Sequence, residues 1–175
     1  ESVEVTISQI DIKGHEHYKA ILNENITINL IELTNGKTHE LYNSGILKGF
    51  YKQIKVYINS AVITLKDGRS YTCEINDEVL NGIEIDIATN ITVKRNKTNN
   101  IILDFDVSKS FIPMGNIEVP HSFSGFRFRP VIKAVDKELT GTVKGKVTNS
   151  SGDVIGDATI ELQYSGISYT TTFSD

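Results

Sequence analysis

The sequence has no tryptophan and contains one cysteine, one methionine and three prolines among its 175 residues. The single cysteine, Cys73, excludes a disulfide within the chain. It lies at an apolar position of an alternating stretch, which favours a buried, unreactive thiol. No apolar run approaches the roughly 20 residues of a membrane-spanning helix. The chain opens within a strand pattern, without methionine or a signal peptide, which favours a mature or trimmed form.

A strong charge of one sign is also absent. The 18 basic and 22 acidic residues give a net charge of −4, and the basic residues are scattered. This distribution gives no footprint for nucleic acid or for an anionic membrane. No glycine-rich phosphate loop and no Gly-x-Ser-x-Gly nucleophile motif occurs. We therefore expect a protein that is not an enzyme and carries no cofactor.

Alternation of apolar and polar residues runs through most of the chain. Its phase reverses between residues 3–7 and residues 10–12, which indicates a β-bulge or a strand that crosses between two sheets. Asp67-Gly68 predicts a hairpin with a type I′ turn. Further strands are predicted at residues 18–22, 26–31, 50–59, 61–65, 70–75, 83–87, 90–94, 101–107 and 126–135. The sequence predicts an all-β fold, an antiparallel Greek-key-type β-sandwich followed by a partial second β-sandwich.

The same alternation predicts which side chains fill the core between the two sheets, because a slip of one residue would turn each set to solvent. The predicted core consists of Val3, Val5, Ile7, Ile28, Leu30, Ile54, Val56, Ile58, Ile83, Ile85, Ile87, Leu103, Phe105, Val131 and Val135.

Four motifs occur in a characteristic order. They are Leu33-Thr34-Asn35-Gly36, the strand Tyr51-Lys52-Gln53-Ile54, the stretch Asp104-Phe105-Asp106 with Lys109-Ser110, and Arg129-Pro130-Val131-Ile132. In this order they resemble the family of secreted bacterial and archaeal surface proteins known as domain of unknown function 4382. The resemblance covers residues 1–138. It implies an extracellular or cell-surface location and no established enzyme chemistry.

Residues 139–175 have a different pattern. Their first half resembles the opening of a carboxypeptidase-regulatory-like domain, which is a transthyretin-type sandwich, with Asn149 where aspartate is common and Val154 in place of the usual proline. About three strands fit before residue 175, too few to close a two-layer core. We expect the apolar sides of these strands to need another strand as a partner, from a neighbouring subunit or from sequence beyond residue 175.

Two clusters could bind a metal. His15 and His17 are two residues apart, so on a strand they share one face and could hold a metal together; an exposed polar loop is the alternative. His39 or His121 could supply a third ligand. Asp104 and Asp106 also share a face and could bind calcium, although a regular strand supplies too few oxygen ligands, and Asp106 could instead pair with Lys109.

Aromatic side chains and glycosylation motifs give the remaining candidate sites. Tyr51 and Tyr57 lie on the polar phase of their strand, and Phe123 lies in an aromatic-flanked loop, so these three could contact a glycan or a protein partner. Asn-x-Ser/Thr triplets make candidate glycosylation sites of Asn25, Asn90, Asn96 and Asn149.

These patterns support two hypotheses of different classes. The first is a non-enzymatic extracellular structural or adhesion module that pairs β-strands with other copies of itself or with a surface protein, and could exchange strands to form a filament. The second is an accessory carbohydrate-binding module of a secreted or cell-surface protein. Electron microscopy of the natural material would separate filaments from particles and monomers.

Overall fold

Strands make up most of the regular structure in the computed structural model, which describes residues 1–116 and 122–174. The strands are β1 (Ser2–Lys13), β2 (Tyr18–Leu22), β3 (Ile26–Asn29), β4 (Gly49–Thr64), β5 (Ser70–Thr72), β6 (Glu74–Ile75), β7 (Ile83–Val93), β8 (Ile101–Phe105), β9 (Phe111–Met114), β10 (Gly125–Phe128), β11 (Ile132–Asp136), β12 (Thr159–Tyr164) and β13 (Ile167–Phe173). Two short α-helices, α1 (Asp77–Leu80) and α2 (Val107–Ser110), and 3-10 turns at Leu30–Leu33 and Lys137–Leu139 complete the described elements. Across the described ranges no helix has the length and apolar character needed to cross a membrane.

The strands form three sheets. The largest has the order β2-β1-β4-β7-β11-β8, with β3 added to β1 and β5 added to β4. A second sheet has the order β6-β10-β9, and β12 and β13 form a two-stranded sheet of their own. Buried side chains of the first two sheets join in one core, so the prediction of an all-β sandwich is confirmed. The pairs β7–β11 and β6–β10 are parallel, which alternation along a single strand does not reveal.

The longest ladder joins β1 to β4, antiparallel from Ser2 opposite Thr64 to Lys13 opposite Gln53. Its register shifts on either side of Ile7, so the predicted reversal of phase in β1 is confirmed. Ile7 and Ile10 are both buried despite the odd spacing between them. The irregularity therefore lets both halves of a bent strand turn their apolar side chains inward.

The core contains most of the predicted side chains. Val3, Val5, Ile7, Ile28, Leu30, Ile54, Val56, Ile58, Ile85 and Ile87 are buried, and Ile83, Leu103 and Phe105 pack against them while partly exposed. The prediction is wrong for Val131, which is 37% exposed, and for Val135, which is half-exposed. The buried positions of β11 are Ala134 and Asp136, because this strand starts after Pro130 and takes the opposite phase.

The single strand predicted over residues 126–135 is two strands in two sheets. The chain passes between the sheets at Pro130, and Ser110 binds the backbone on both sides of that proline. The Arg129 N–H donates to the Ser110 carbonyl at 2.8 Å, and the Val131 N–H donates to Ser110 Oγ at 2.9 Å. Ser110 Oγ in turn donates to the Asp106 carbonyl at 2.6 Å. Ser110 is completely buried. Its hydrogen bonds take the place of the ladder bonds that are interrupted where the chain crosses between the sheets.

The Asp67-Gly68 hairpin is confirmed, with a different turn. Gly68 has φ of +86°, whereas Asp67 does not have a positive φ. The Gly68 N–H donates to the Leu65 carbonyl at 3.0 Å, and the Leu65 N–H donates to the Arg69 carbonyl at 2.9 Å. This geometry is a type I turn followed by a left-handed glycine, which also joins antiparallel strands.

Residues 140–158 lead from the sandwich to β12 and have little regular structure. Thr148 and Val154 form an isolated antiparallel bridge. Val143 and Val154 are 77% and 58% exposed. The segment thus follows the surface as an exposed connection.

Replacing Ser110 with alanine should lower the free energy of unfolding by about 1–3 kcal/mol, because the part-buried hydrogen bond from the Val131 N–H loses its acceptor. Urea unfolding followed by circular dichroism would measure the change. Ser44, which is exposed in the loop before β4, offers a matched control, and Ser44→Ala should change stability by less than about 0.5 kcal/mol. Equal effects of the two substitutions would contradict the structural role of Ser110.

Candidate functional site

The β12–β13 hairpin is an exposed part of the described structure. Every residue of β12 is exposed, and Tyr164 and Tyr169 are 72% and 56% exposed. Leu162, Gln163, Tyr164 and Tyr169 line a shallow depression on the hairpin. Two strands cannot bury an apolar side between them, so the hairpin presents both apolar surface and a strand edge.

The hairpin meets the sandwich through the edge of β13. The hydroxyl of Thr170 donates to Asp104 at 3.1 Å, and the hydroxyl of Thr171 donates to Asp106 at 2.9 Å. Successive residues of a strand point to opposite sides, whereas residues two apart share a side. Thr170 and Thr171 are neighbours and so point to opposite sides of β13, yet both reach carboxylates on one side of residues 104–106. The edge of β13, and not one of its faces, therefore lies against these residues.

Charged side chains complete this contact. Lys133 of β11 donates to the backbone carbonyl of Tyr169. Lys109 of α2 lies 3.7 Å from Glu161 of β12 and 2.9 Å from Asp106. The pairing of Asp106 with Lys109 that the sequence suggested is therefore present. We call the surface made by Asp104, Asp106, Ser108, Lys109 and Lys133 the docking face.

Asp106 is the most heavily bonded residue of the docking face. Burial alone would raise the pKa of its carboxyl, but hydrogen bonds from Ser108, Lys109 and Thr171 outweigh burial and hold that pKa below its usual range. Asp106 also accepts from the Lys109 N–H and so caps α2. Its carboxylate oxygens are thus engaged by Ser108, Lys109 and Thr171.

A second polar surface covers the outer side of the large sheet. Asp11 is only 6% exposed, and it accepts from Tyr57 Oη at 3.1 Å and from Gln9 Nε2 at 2.7 Å. Gln53 donates to Asp86 at 2.7 Å and accepts from Lys13 at 3.1 Å. The network ties β1, β4 and β7 together and satisfies a carboxylate that would otherwise be costly to bury.

Tyr57 and Tyr18 belong to this network. A Cβ placed on Gly82, whose φ is +92°, would lie 2.8 Å from Tyr57 Cε1, so the ring lies directly against the glycine backbone. The ammonium of Lys55 lies 5.5 Å from the centre of the Tyr57 ring and 5.7 Å from that of Tyr18. Lys13 lies 4.9 Å from the centre of the Tyr18 ring. Cations therefore flank both rings.

The expected exposure of Tyr51 is wrong. This residue is 8% exposed, and its hydroxyl donates to the Leu47 carbonyl at 2.8 Å. The cause is a register shift between Tyr51 and Gln53 in the β4–β7 ladder, which turns Tyr51 inward and leaves Phe50 39% exposed. Phe123 is half-buried and packs edge-to-face against Tyr71 and Phe126, with ring centres 5.1 Å away in each case.

The histidine pair lies in the turn between β1 and β2. His15, Glu16 and His17 are all exposed, and the ring of His15 lies 6.5 Å from that of Phe50. His39 is exposed in the loop before β4, and His121 lies outside the described residues. Within the described ranges, no three potential ligands cluster closely enough to hold a metal ion. The structure thus supplies no third described ligand for His15 and His17.

The remaining sequence candidates are distributed around the surface. Asn25, Asn90, Asn96 and Asn149 are exposed. The side chain of Asn149 accepts from the Ser151 and Asp153 N–H groups and donates to the Asp153 carboxylate, so the turn itself uses its amide. Cys73 is buried, and burial raises the pKa of its thiol to about 11, as expected of an unreactive cysteine.

Sequence reasoning missed the hydrogen-bonded surface around Asp11 and the threonines of β13. Asp11 lies between Ile10 and Ile12 at a polar position of an alternating strand, and its burial follows from the central place of β1 in the sheet. No sequence signal marks Thr170 and Thr171, because their role depends on how the hairpin packs against residues more than 60 positions away.

The family model described as Domain of unknown function (DUF4382) matches residues 1–119, more than half of the chain. The chain belongs to this family. The DUF4382 match includes β1 to β9, and β10 and β11 complete the same two sheets beyond it. No curated protein and no solved structure matches the chain.

Raising the pH should destabilise the protein through Tyr18. Burial, reinforced by the nearby carboxylates of Glu84 and Asp86, raises the pKa of Tyr18 from 10.0 to about 12. A raised folded-state pKa gives stability that is complete below pH 10 and is lost as the pH approaches 12. Urea midpoints measured across this range should fall less for Tyr18→Phe than for the unsubstituted protein. Tyr164→Phe, at an exposed tyrosine, is the control and should follow the unsubstituted protein.

Replacing His15 and His17 together with alanine should change the free energy of unfolding by less than about 0.5 kcal/mol, because both side chains are exposed. Treatment with a chelator should leave the melting temperature unchanged. Calorimetry with and without chelator measures both effects. A melting temperature that falls with chelator, and no longer responds after the double substitution, would establish a metal at this turn.

Proposed function

We propose that this DUF4382 member is a non-enzymatic structural or adhesion module at the outside of the cell, and that it associates with other copies of itself through β-strands. The observation that carries the proposal is the β12–β13 hairpin, which has six exposed residues in β12 and exposed apolar side chains on a two-stranded sheet. A strand edge beside apolar surface is suited to adding another strand, because the new ladder satisfies backbone groups and covers the side chains together.

The resemblance of residues 139–175 to the start of a carboxypeptidase-regulatory-like sandwich supports the same proposal. In such a sandwich the hairpin would be part of a larger sheet, so an added strand would continue an existing architecture. In this proposal that strand comes from a neighbouring copy. Repetition of strand exchange along a row of copies gives a filament at the cell surface.

Carbohydrate binding is the weaker alternative. It would rest on Tyr57 and Phe123, since Tyr51 is buried. Ammonium groups flank the outer-face tyrosines, and Phe123 packs against Tyr71 and Phe126. Stacking on a sugar ring would first require these contacts to rearrange, which favours strand pairing as the leading proposal.

Deleting residues 140–175 should abolish self-association and leave the sandwich folded. All of the buried hydrophobic side chains found in the described structure lie between Val3 and Ala134, so the deletion removes none of them. Sedimentation velocity at millimolar protein concentration would show larger species for the full chain and a monomer for the deletion variant, and the two proteins should have similar melting temperatures. In the full chain, Leu162→Ser with Tyr169→Ser is a matched test, because it removes exposed apolar area and retains the backbone. A full chain that stays monomeric at every concentration would refute the proposal.

A further inference from the structure

The contact between the hairpin and the sandwich includes several polar interactions that can break one at a time. Thr170 and Thr171 bond to Asp104 and Asp106, Lys133 bonds to a backbone carbonyl, and Lys109 pairs with Glu161. The described hydrophobic core contains no buried residue of β12 or β13. The hairpin can therefore detach from the docking face without exposing the core. A second hairpin would find the same hydrogen-bonding and charged groups on that face.

The connection to the hairpin is long enough to allow this exchange. Residues 140–158 are exposed along nearly their whole length, and they reach roughly 60 Å if fully extended. Lys66, at the end of the β4–β5 hairpin, contacts this segment through Asp157 at 3.0 Å, in an ion pair whose side chains are 69% and 84% exposed. An exposed ion pair of this kind contributes little stability, so it restrains the connection only weakly.

We infer that the docking face of one copy receives the β12–β13 hairpin of a second copy, in place of its own hairpin. The inference rests on the self-association proposed above and names the exchanged segment and the surface that receives it. Exchange needs no new complementarity, because every bond between two copies repeats a bond already present within one copy. Reciprocal exchange between two copies closes a dimer, and exchange from each copy to the next builds an open chain.

The local protein concentration determines whether the hairpin docks within its own copy or on another copy. A flexible connection holds the hairpin near its own docking face at an effective concentration on the order of 1 mM. Docking within one copy therefore dominates in dilute solution, and docking between copies becomes comparable when copies are packed at millimolar density. A protein crowded on a surface or aligned in a filament meets this condition.

Cross-linking through the docking contact tests the inference in the full chain. The hydroxyls of Ser108 and Thr171 lie 3.4 Å apart, so Ser108→Cys and Thr171→Cys place two thiols together. Cys73 is buried and can remain. The two single variants are unfolded together in urea with reductant, refolded at about 20 µM or about 2 mM protein, and then oxidised. Non-reducing electrophoresis and peptide mass spectrometry identify disulfides that join position 108 of one variant to position 171 of the other.

We expect the fraction of chains joined in this way to rise at least tenfold between the two concentrations, as the balance between the two docking modes requires. The Ser108→Cys/Thr171→Cys double variant should form the disulfide within one chain at the lower concentration. A mixture of Ser44→Cys with Thr171→Cys controls for random collisions, because Ser44 is exposed and lies in the loop before β4. Mixed disulfides no more frequent than in this control would overturn the inference.

Sedimentation of the unsubstituted chain separates this result from the proposed function. Larger species without the cross-link between positions 108 and 171 of different chains would refute the exchange of hairpins and leave strand pairing through another edge. A double variant that fails to cross-link within one chain would refute the docking contact itself. A strictly monomeric chain would refute both the inference and the proposed function.

Discussion

The ladder between β1 and β4 is the interaction on which the other elements depend. Every other strand of the large sheet is added to this pair directly or through β7, and both edges of β1 and of β4 are occupied along part of their length. The central position explains why Val5, Ile7, Val56 and Ile58 are completely buried. It also places Asp11 and Tyr57 on adjacent strands. Their register brings the Tyr57 hydroxyl within hydrogen-bond distance of the Asp11 carboxylate on the outer surface.

Irregularities in the β1–β4 and β4–β7 ladders contribute to the burial of apolar side chains as much as the regular parts of these ladders do. A shift near Ile7 keeps both halves of β1 facing the core, and a shift after Tyr51 turns that ring inward to hold the preceding loop through Leu47. A strictly regular strand would have presented one of these apolar groups to solvent. The bent strands thus wrap around the core, and the three-stranded sheet packs onto it through Phe126 and Phe128.

Local alternation was enough to predict the class of fold, most core positions and the bulge in β1, because burial on one side imposes a period of two on any strand. It failed at Tyr51, where a register shift reverses the phase, and at Val131, where Pro130 divides one apparent strand between two sheets. The docking face could not be predicted from the sequence, for a different reason. Asp104 and Thr170 come together only through packing of distant segments, and polar residues on a strand surface carry no periodic signal of their partners.

Because β13 contacts the sandwich through its edge, the hairpin and the sandwich resist a pulling force differently. A pull along β1 loads the β1–β4 ladder in shear, so many hydrogen bonds must break at once. A pull that lifts the hairpin from the docking face loads a handful of side-chain contacts one after another, beginning with those of Thr170, Thr171 and Lys133. The protein therefore combines a stiff element with a compliant one in series, and a stretched chain would yield first at the hairpin while the sandwich keeps its shape.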